Sequence, residues 1–315
     1  MKLTFRWYGE GDPVTLEQIR QIPCMTGIVS AVYDRKPGEV WSRESIARIA
    51  EQAHAQGLAF EVVESVPVPE EIKLGGPDAP RLIEAYCENI RRLGEAGVRC
   101  VCYNFMPVFD WLRSTLALRE PDGANALAYD EAEVLAMNPL TSELSLPGWD
   151  ESYTKEGLAS LMRRYEGFTE EDLWHSLESF LHRVIPAAEE AGIRMAIHPD
   201  DPPWGIFGLP RIITGKDAIN GLTFCTGSLG ASPENDLPRL ARKYAKRIPF
   251  AHLRNVLRTG KRQFREVAHP TACGSLDLYG IVKGLVEGGF DGYVRPDHGR
   301  MIWGETGRPG YGLYD

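Results

Sequence analysis

The sequence predicts an α/β fold, a (β/α)8 TIM barrel, and two observations lead to this class. Eight short apolar runs alternate with helical patterns along the chain, and three of the helical stretches end at a glycine, Gly57, Gly97 or Gly192. A helix, a glycine and then a buried strand is the rhythm of repeated βα units around a parallel sheet. Metal-ligating residue types also stand where four successive strands would end, at positions 198, 225, 252 and 297. These spacings are close to one βα unit of a barrel of roughly 250 residues.

The elements follow one another in the order that such a barrel requires. The first strand begins with Leu3-Thr4-Phe5-Arg6-Trp7-Tyr8, and the helix near 43–55 has Ser42 as its N-cap and Glu44 in its first turn. Apolar runs of strand length place the eight strands near 3–8, 28–33, 58–63, 98–104, 193–198, 222–226, 249–253 and 292–296. Helical patterns lie near 15–21, 43–55, 80–96, 170–191, 236–246 and 276–287.

Two stretches depart from the regular repeat. Residues 106–168 hold far more chain than a βα loop needs, and they include a hairpin-like segment around Pro121-Asp122-Gly123. We therefore expect a single TIM-barrel domain over 1–315, with an inserted lid or interaction segment at about 106–168. After the eighth strand the chain is rich in glycine and proline, so we expect the last helix to be truncated or absent.

Composition excludes several classes of function. The 315 residues carry a formal net charge of −9, so we expect no binding to nucleic acid. No apolar run reaches the ~18 residues of a membrane span, and no signal-like run of about 7–15 residues follows Met1. The six cysteines are too few and too scattered for a disulfide framework in a chain of this length. These features predict a cytoplasmic protein in a reducing environment.

Four side chains are predicted to meet at one rim of the barrel: His198, Cys225, His252 and Asp297. Because side chains alternate along a strand, the apolar residues beside them face the helices while these four face inward. Each alone has an ordinary structural explanation, such as a core cysteine or a turn aspartate, but four successive strand ends agree. Two imidazoles, a thiolate and a carboxylate suit a divalent transition metal. Since four protein ligands would saturate a tetrahedral zinc ion, Mn²⁺ or Fe²⁺ is favoured.

Neighbouring residues are candidates for proton transfer and substrate binding. His298 comes where its strand ends, so its imidazole can turn into the mouth as general acid or base, or can orient a ligand instead. Tyr311, in a glycine-rich turn, can place a phenol over the mouth or belong to a surface tail. Arg254 and Arg295 point inward and can clamp a carboxylate, although Arg295 lies deeper and ion pairing inside the barrel is its alternative.

Several longer motifs occur in a fixed order along the chain: Thr4-Phe5-Arg6-Trp7-Tyr8-Gly9, Tyr103-Asn104-Phe105-Met106-Pro107-Val108-Phe109-Asp110-Trp111, His198-Pro199-Asp200-Asp201-Pro202-Pro203, Gly208-Leu209-Pro210-Arg211-Ile212, Cys225-Thr226-Gly227-Ser228, His252-Leu253-Arg254-Asn255, Arg295-Pro296-Asp297-His298-Gly299 and Pro309-Gly310-Tyr311-Gly312. With these motifs the chain resembles the mannonate dehydratase family of xylose-isomerase-like TIM barrels over nearly its whole length.

The resemblance implies a hydro-lyase that converts D-mannonate to 2-keto-3-deoxy-D-gluconate in hexuronate (glucuronate) breakdown. It implies metal ligands at the four positions already singled out, and an acid/base pair at His298 and Tyr311 without assigning which of them removes the proton. Asn104 and Asn255 stand in the shared motifs and join Arg254 and Arg295 as substrate-binding candidates. The family continues past the Tyr311 motif into a last helix, whereas this sequence stops soon after it.

A metal-dependent sugar isomerase or epimerase of the same fold is the alternative reading. Such sites tend to have more carboxylates than the predicted cluster, which thiolate and imidazole dominate. A zinc endonuclease is disfavoured by the acidic net charge, and a non-catalytic metal-binding protein would turn over no sugar acid. The expected partner is a small sugar acid, together with further copies of the chain in a homo-oligomer, a dimer or higher, in which residues 106–168 would be available for packing.

Overall fold

The computed structural model describes residues 1–138, 154–212 and 221–302. Its strands, numbered in chain order, are β1 (Lys2–Arg6), β2 (Met25–Ser30), β3 (Ala59–Glu64), β4 (Cys100–Tyr103), β5 (Thr115–Arg119), β6 (Asn125–Asp130), β7 (Arg194–Ile197), β8 (Gly221–Cys225), β9 (Phe250–Leu253), β10 (Asn255–Gly260), β11 (Gln263–Val267) and β12 (Tyr293–Pro296). Its α-helices are α1 (Leu16–Gln21), α2 (Arg43–Ala55), α3 (Glu70–Lys73), α4 (Ala79–Glu95), α5 (Glu131–Ala136), α6 (Lys155–Arg164), α7 (Glu170–Glu190), α8 (Thr226–Gly230), α9 (Leu237–Tyr244) and α10 (Leu278–Glu287).

Eight of the strands form a closed parallel barrel, in the order β1-β12-β9-β8-β7-β4-β3-β2. The sheet closes on itself because β1 pairs with both β2 and β12. Each of the eight predicted strands overlaps one barrel strand, and the six predicted helices correspond to α1, α2, α4, α7, α9 and α10. The predicted TIM barrel is therefore confirmed. The prediction of a truncated or absent last helix falls on residues 303–315, which lie outside the described residues.

Local sequence explains where the helices begin and end. The Ser42 side chain accepts a hydrogen bond from the backbone of Ser45 at the start of α2, and Thr169 forms a capping box at the start of α7. Gly57, Gly97 and Gly192 follow the ends of three helices with φ values of +71°, +93° and +67°. A side chain is strained in that left-handed region, so glycine is the residue that lets each helix turn back toward its strand.

The barrel strands separate two layers of core, as the alternation of side chains requires. Inside the barrel, a compact cluster contains Val29, Val62, Cys100, Cys102, Ala196, Phe250 and Tyr293. The residues that alternate with them, such as Met195, Phe224 and Val294, belong to the larger cluster that packs against the helices. The inward positions are thus apolar in the barrel and become polar at its C-terminal rim, where active sites of this fold lie.

A second, four-stranded antiparallel sheet is formed by the connections that follow the barrel strands β4 and β9. Its order is β10-β11-β6-β5, and we call it the accessory sheet. The β5–β6 hairpin matches the hairpin predicted around Pro121-Asp122-Gly123. β10 and β11 were not predicted, because residues 255–267 carry many charged side chains and resemble a polar loop. Phe264 of β11 pairs with Tyr129 of β6, and their rings stack with centroids 5.5 Å apart.

The accessory sheet therefore joins the connection after β4 to the connection after β9. Residues 139–153 of the predicted insertion lie outside the described residues, and the division of the chain into one domain with a lid or interaction segment at 106–168 stays a prediction. Across the described residues, no helix combines the length and the apolar character needed to cross a membrane.

Candidate active site and metal centre

Four strand ends bring the predicted metal ligands to one place at the barrel rim. His198 directly follows β7, Cys225 is the last residue of β8, His252 lies within β9, and Asp297 directly follows β12. Cys225 is the register partner of His252. One ligand atom from each of His198, Cys225 and His252 lies within 4.8 Å of the others. The Asp297 Oδ2 atom lies 3.6 Å from Cys225 Sγ and 3.9 Å from His252 Nδ1. We call these four residues the ligand cluster.

The ligand cluster has the properties of a site that would accept a metal ion. His252 is fully buried, and neither of its ring nitrogens has a hydrogen-bond partner within the part of the chain that the structure describes. Buried polar atoms without a partner are rare and costly, so this imidazole is suited to bind a metal ion. The Nδ1 atom of His198 lies 2.7 Å from the Pro199 carbonyl oxygen, a contact in which Nδ1 donates and Nε2 is left as the ligand atom. Thiolate, imidazole and carboxylate donors together fit a divalent transition ion.

Glu64, the last residue of β3, lies on the far side of His252 and was not predicted. Its Oε2 atom is 3.5 Å from His252 Nε2, and its carboxylate accepts two hydrogen bonds from Arg295 at 2.9 and 3.0 Å and pairs with Arg6 at 3.0 Å. Burial opposes ionisation of Glu64, but Arg295, His252 and Arg6 outweigh this effect and hold its pKa well below the usual range. The carboxylate is therefore an anion that faces a metal-ligand candidate.

A second group of potential ligand atoms, on Glu64, Cys102 and His252, also lies within 4.8 Å. Glu64 is engaged there by two arginines. Burial raises the pKa of the Cys102 thiol well above its usual range, so the thiol keeps its proton at neutral pH. Because the thiolate is the form that binds metals, the physical chemistry favours the ligand cluster over this deeper group.

Asp297 pairs with Arg295 through one carboxylate oxygen and presents the other to the ligand cluster and to Arg254 Nε, 3.6 Å away. Arg295 Nη1 lies 2.9 Å from Asp297 Oδ1, so that the Oδ2 atom faces Cys225 and His252. Burial raises the cost of ionising Asp297, but His298, Arg295, Arg254 and His252 outweigh it and hold the pKa well below the usual range. Asp297 is therefore a carboxylate at neutral pH.

Beside the ligand cluster, four buried side chains form what we call the charge network: Arg113, Asp201, Arg254 and Glu266. Arg254 Nη2 donates to Asp201 at 2.6 Å, and Nη1 donates to Glu266 at 3.2 Å. Arg113 donates twice to Asp201, at 2.8 and 3.2 Å, and twice to Glu266, at 3.0 and 2.7 Å. Burial opposes the charge of Asp201, but Arg113 and Arg254 hold its pKa well below the usual range.

Gly227 leaves room for this network. A Cβ atom added at Gly227 would lie 1.8 Å from Arg254 Nε, closer than any side chain permits. The Cys-Thr-Gly-Ser turn thus supplies Cys225 to the ligand cluster, and its Ser228 hydroxyl accepts from Arg254 at 3.0 Å and donates to Asp201 at 3.0 Å. A larger residue at position 227 would displace the Arg254 guanidinium from Ser228 and Asp201.

Replacing Arg113 with methionine should strongly destabilise the fold. The Arg113 side chain is fully buried, and its removal takes away one of the two arginines that pair with both Asp201 and Glu266. Removing one member of a buried ion pair typically costs about 3–5 kcal/mol, and we expect a loss of that order in the free energy of unfolding, measured by urea denaturation. Arg43→Met is the matched control: Arg43 pairs with Glu95 on the surface, both side chains being more than half exposed, and its loss should change little. Equal midpoints for the two variants would contradict the prediction.

His298 sits between the charge network and a tryptophan. Its Nε2 atom lies 2.6 Å from Arg254 Nη1, and its Nδ1 atom lies 2.5 Å from Glu266 Oε2. The imidazole stacks on Trp111 with ring centroids 5.3 Å apart and an interplanar angle of 28°. The imidazole is therefore contacted at both nitrogens and on one face.

These residues surround a cavity of about 180 Å³ at the rim. Among the predicted site residues, its lining includes Asn104, His198, His252, Arg254, Arg295, Asp297 and His298. Cys225 is fully buried and is not part of the lining, but it lies close to His252 and Asp297. The lining also includes seven residues to which no site role was given: Arg6, Tyr8, Glu64, Ser65, Asp110, Trp111 and Asp201. Glu64 is the last residue of β3, so the strand-end rule that found the ligand cluster could also have found it. Trp111 and Asp201 belong to the sequence motifs, but no role was predicted for them.

Of the predicted site residues within the described part of the chain, Asn255 points away from the cavity. The Asn255 amide donates to the Pro270 carbonyl at 2.9 Å and accepts from the Leu276 backbone at 3.3 Å, so it holds the loop after β11. Neighbours on a strand point to opposite sides, and Arg254 is the one that faces the site. Tyr311 lies outside the described residues.

Comparison with known proteins agrees with this geometry. A family model described as D-mannonate dehydratase (UxuA) matches residues 1–315. The mannonate dehydratase of Streptococcus uberis is 53% identical over 328 aligned positions, which cover 100% of this chain and 94% of that protein. Mannonate dehydratase 2 of Halalkalibacterium halodurans is 52% identical, with 100% and 95% covered.

Solved structures give the same result at two levels of likeness. The crystal structure of mannonate dehydratase from Streptococcus suis serotype 2 has a TM-score of 0.90 and 46% identity, and the match covers 100% of this chain and 90% of that one. A D-psicose 3-epimerase from Clostridium cellulolyticum H10 has a TM-score of 0.52 at 14% identity, with 94% and 84% covered, which is a likeness of fold alone. The chain belongs to the D-mannonate dehydratase family of hydro-lyases.

Proposed function

We propose that this chain dehydrates D-mannonate to 2-keto-3-deoxy-D-gluconate in hexuronate breakdown, with a divalent metal ion as cofactor. The observation that carries the proposal is the convergence of two imidazoles, a thiol and a carboxylate on one cavity, in a chain that matches the dehydratase family from end to end. The family supports the sugar-acid substrate, and the ligand cluster supports the metal dependence.

His198, Cys225, His252 and Asp297 would hold the metal ion. When bound, it would supply Lewis-acid stabilisation of the negative charge that develops beside the substrate carboxylate. Four protein ligands favour Mn²⁺ or Fe²⁺, because these ions accept further ligands beyond four. Glu64 would orient His252 by accepting a hydrogen bond from Nε2–H, since a carboxylate behind a ligating imidazole fixes its tautomer and leaves Nδ1 for the ion.

The reaction requires one proton acceptor and one proton donor near the substrate. The hydrogen on C2 must be removed beside the carboxylate, and the hydroxyl on C3 must leave with an added proton as water. The resulting enol becomes the 2-keto acid when a proton returns to C3. We assign these transfers to His298, which lines the cavity, and to Tyr311, in keeping with the family resemblance.

The remaining predicted residues would contribute positive charge to the cavity and bind the substrate. The guanidinium groups of Arg254 and Arg295 are already engaged by protein carboxylates, so we propose that they act mainly through their positive charge. Asn104 lines the cavity and offers an amide to a substrate hydroxyl or carboxylate. Asn255 would act indirectly, through the loop that its side chain holds.

Metal-stripped protein should form no product from D-mannonate, and addition of Mn²⁺ or Fe²⁺ should restore formation of the 2-keto-3-deoxy acid. Zn²⁺ should restore less activity, because a tetrahedral ion with four protein ligands has no open position. The rate is followed by an assay for the 2-keto-3-deoxy product, with Fe²⁺ added under anaerobic conditions, and metal content is measured on the same samples.

The experiment also separates the alternatives. A folded protein that binds one metal per chain and forms no product with any ion would refute the dehydratase assignment while leaving the ligand cluster standing. A product of unchanged mass would instead favour a metal-dependent isomerase or epimerase, since dehydration removes one water from the substrate.

A further inference from the structure

Glu266 reaches the candidate active site from a part of the fold that holds none of the proposed metal ligands. It lies in β11 of the accessory sheet, its side chain is fully buried, and one of its oxygens contacts His298 Nδ1 at 2.5 Å. The ligand cluster, by contrast, stands on or directly after the barrel strands β7, β8, β9 and β12. The accessory sheet thus contributes a carboxylate to the imidazole that we assign to proton transfer.

The contacts of His298 define which ring nitrogen carries the proton. A guanidinium group can only donate hydrogen bonds, so the 2.6 Å contact between Arg254 Nη1 and His298 Nε2 requires Nε2 to accept. The proton of the neutral imidazole is then on Nδ1, where Glu266 Oε2 accepts it. One tautomer satisfies both neighbours, and the opposite tautomer would set a donor against a donor at Nε2.

Glu266 itself is held in one orientation. Its other oxygen, Oε1, accepts from Arg113 Nε at 3.0 Å, from Arg113 Nη2 at 2.7 Å and from Arg254 Nη1 at 3.2 Å. Arg254, which contacts both Glu266 and His298, is fixed in turn by Asp201 at 2.6 Å. Since both oxygens have assigned partners, the carboxylate cannot rotate without leaving a buried arginine unsatisfied.

We propose that Glu266 is a positioning residue for the dehydration: it holds His298 in the neutral tautomer that carries its proton on Nδ1 and leaves Nε2 unprotonated. The inference rests on the proposed function for its catalytic meaning, and it adds to that function a residue and a tautomer. Trp111 stacks on the imidazole and keeps the ring plane in line with both contacts.

Glu266→Gln tests the proposal because it changes the hydrogen-bonding pattern and keeps the shape. The amide oxygen of glutamine would take the place of Oε1 between the two arginines, which can only donate, and the NH₂ group would then face His298 Nδ1. The imidazole would have to accept at Nδ1 and carry its proton on Nε2. We expect kcat for D-mannonate in the Mn²⁺-loaded enzyme to fall on the order of 10²-fold or more, as for other partners that orient a functional histidine, with bound Mn²⁺ unchanged. KM should change by less than about threefold, because the substrate's own contacts remain.

A second readout does not depend on activity. In metal-free protein labelled with ¹⁵N-histidine, the His298 resonances can be identified among the seven histidines by their loss in His298→Asn. Wild-type protein should show the proton on Nδ1, and Glu266→Gln should not. If wild-type protein dehydrates no D-mannonate with any metal, the proposed function fails, while this spectrum still decides the role of Glu266.

Two further variants make the test specific. Glu120→Gln removes the same charge directly after β5, where Glu120 pairs with Arg265 of β11 at 3.1 Å, and it should keep the wild-type kcat. Glu266→Asp keeps the charge and serves if Glu266→Gln does not fold; it should retain the Nδ1 proton and at least about ten times the kcat of the glutamine variant. Retention of the Nδ1 proton in a folded Glu266→Gln protein, or a kcat within about threefold of the wild type, would overturn the proposal.

Discussion

Replacement of Cys225 by serine is expected to remove both metal binding and activity. A serine hydroxyl keeps its proton at neutral pH and has none of the affinity of a thiolate for divalent transition ions. We expect kcat/KM for D-mannonate to fall by at least about 10³-fold, which corresponds to roughly 4 kcal/mol of lost transition-state stabilisation. Metal content after dialysis and steady-state kinetics measure the two effects separately.

Cys102→Ser is the matched control for this experiment. It makes the same sulfur-to-oxygen change at another buried inward-facing position of the barrel, below the ligand cluster, where the thiol keeps its proton. The variant should retain metal and most of its activity. If Cys102→Ser lost the metal while Cys225→Ser kept it, the deeper group of Glu64, Cys102 and His252 would be the metal site instead.

His298→Asn should abolish turnover while the metal stays bound. Asparagine retains a hydrogen-bonding side chain of smaller size but cannot exchange a proton with the substrate near neutral pH. Loss of a general acid or base typically costs about 10²–10⁴-fold in rate, and we expect kcat to fall within that range. Metal content should remain close to the wild-type value, because His298 is not one of the proposed ligands.

His175→Asn provides the comparison for His298→Asn. His175 lies on α7 with a side chain that is 70% exposed, far from the cavity lining, and its replacement should leave kcat unchanged. A His298→Asn enzyme with wild-type kcat would show that proton transfer belongs to other residues, and would remove the basis for assigning His298 and Tyr311 as the acid/base pair.

The sequence predicted the barrel and the meeting of four side chains at its rim for a physical reason, while their role as metal ligands stays a prediction. Parallel strands of a closed barrel all end at one rim, so residues that end successive strands meet there whatever the intervening helices contain. His198, Cys225, His252 and Asp297 were found by that rule, and local signals such as Ser42 and Gly57 fixed the helix ends because capping is a short-range effect.

The accessory sheet could not be predicted in the same way. Its pairing joins Gln263 to Asp130 and Phe264 to Tyr129 across more than a hundred residues of chain, and no local pattern records such a partner. Glu266 in particular has the sequence appearance of a solvent-exposed charge. Its burial depends on Arg113 and Arg254, which reach it from other segments, so its role is visible only in three dimensions.

The pairing of β6 with β11 also bears on how the substrate range of this enzyme can be redesigned. In most barrels each loop at the rim can change in length on its own, because it is anchored by its own strand and helix. Here an insertion that moves β6 would move β11 with it, and Glu266 would leave His298. Residues 115–130 and 255–267 therefore have to be exchanged together when a loop from a relative is grafted onto this barrel.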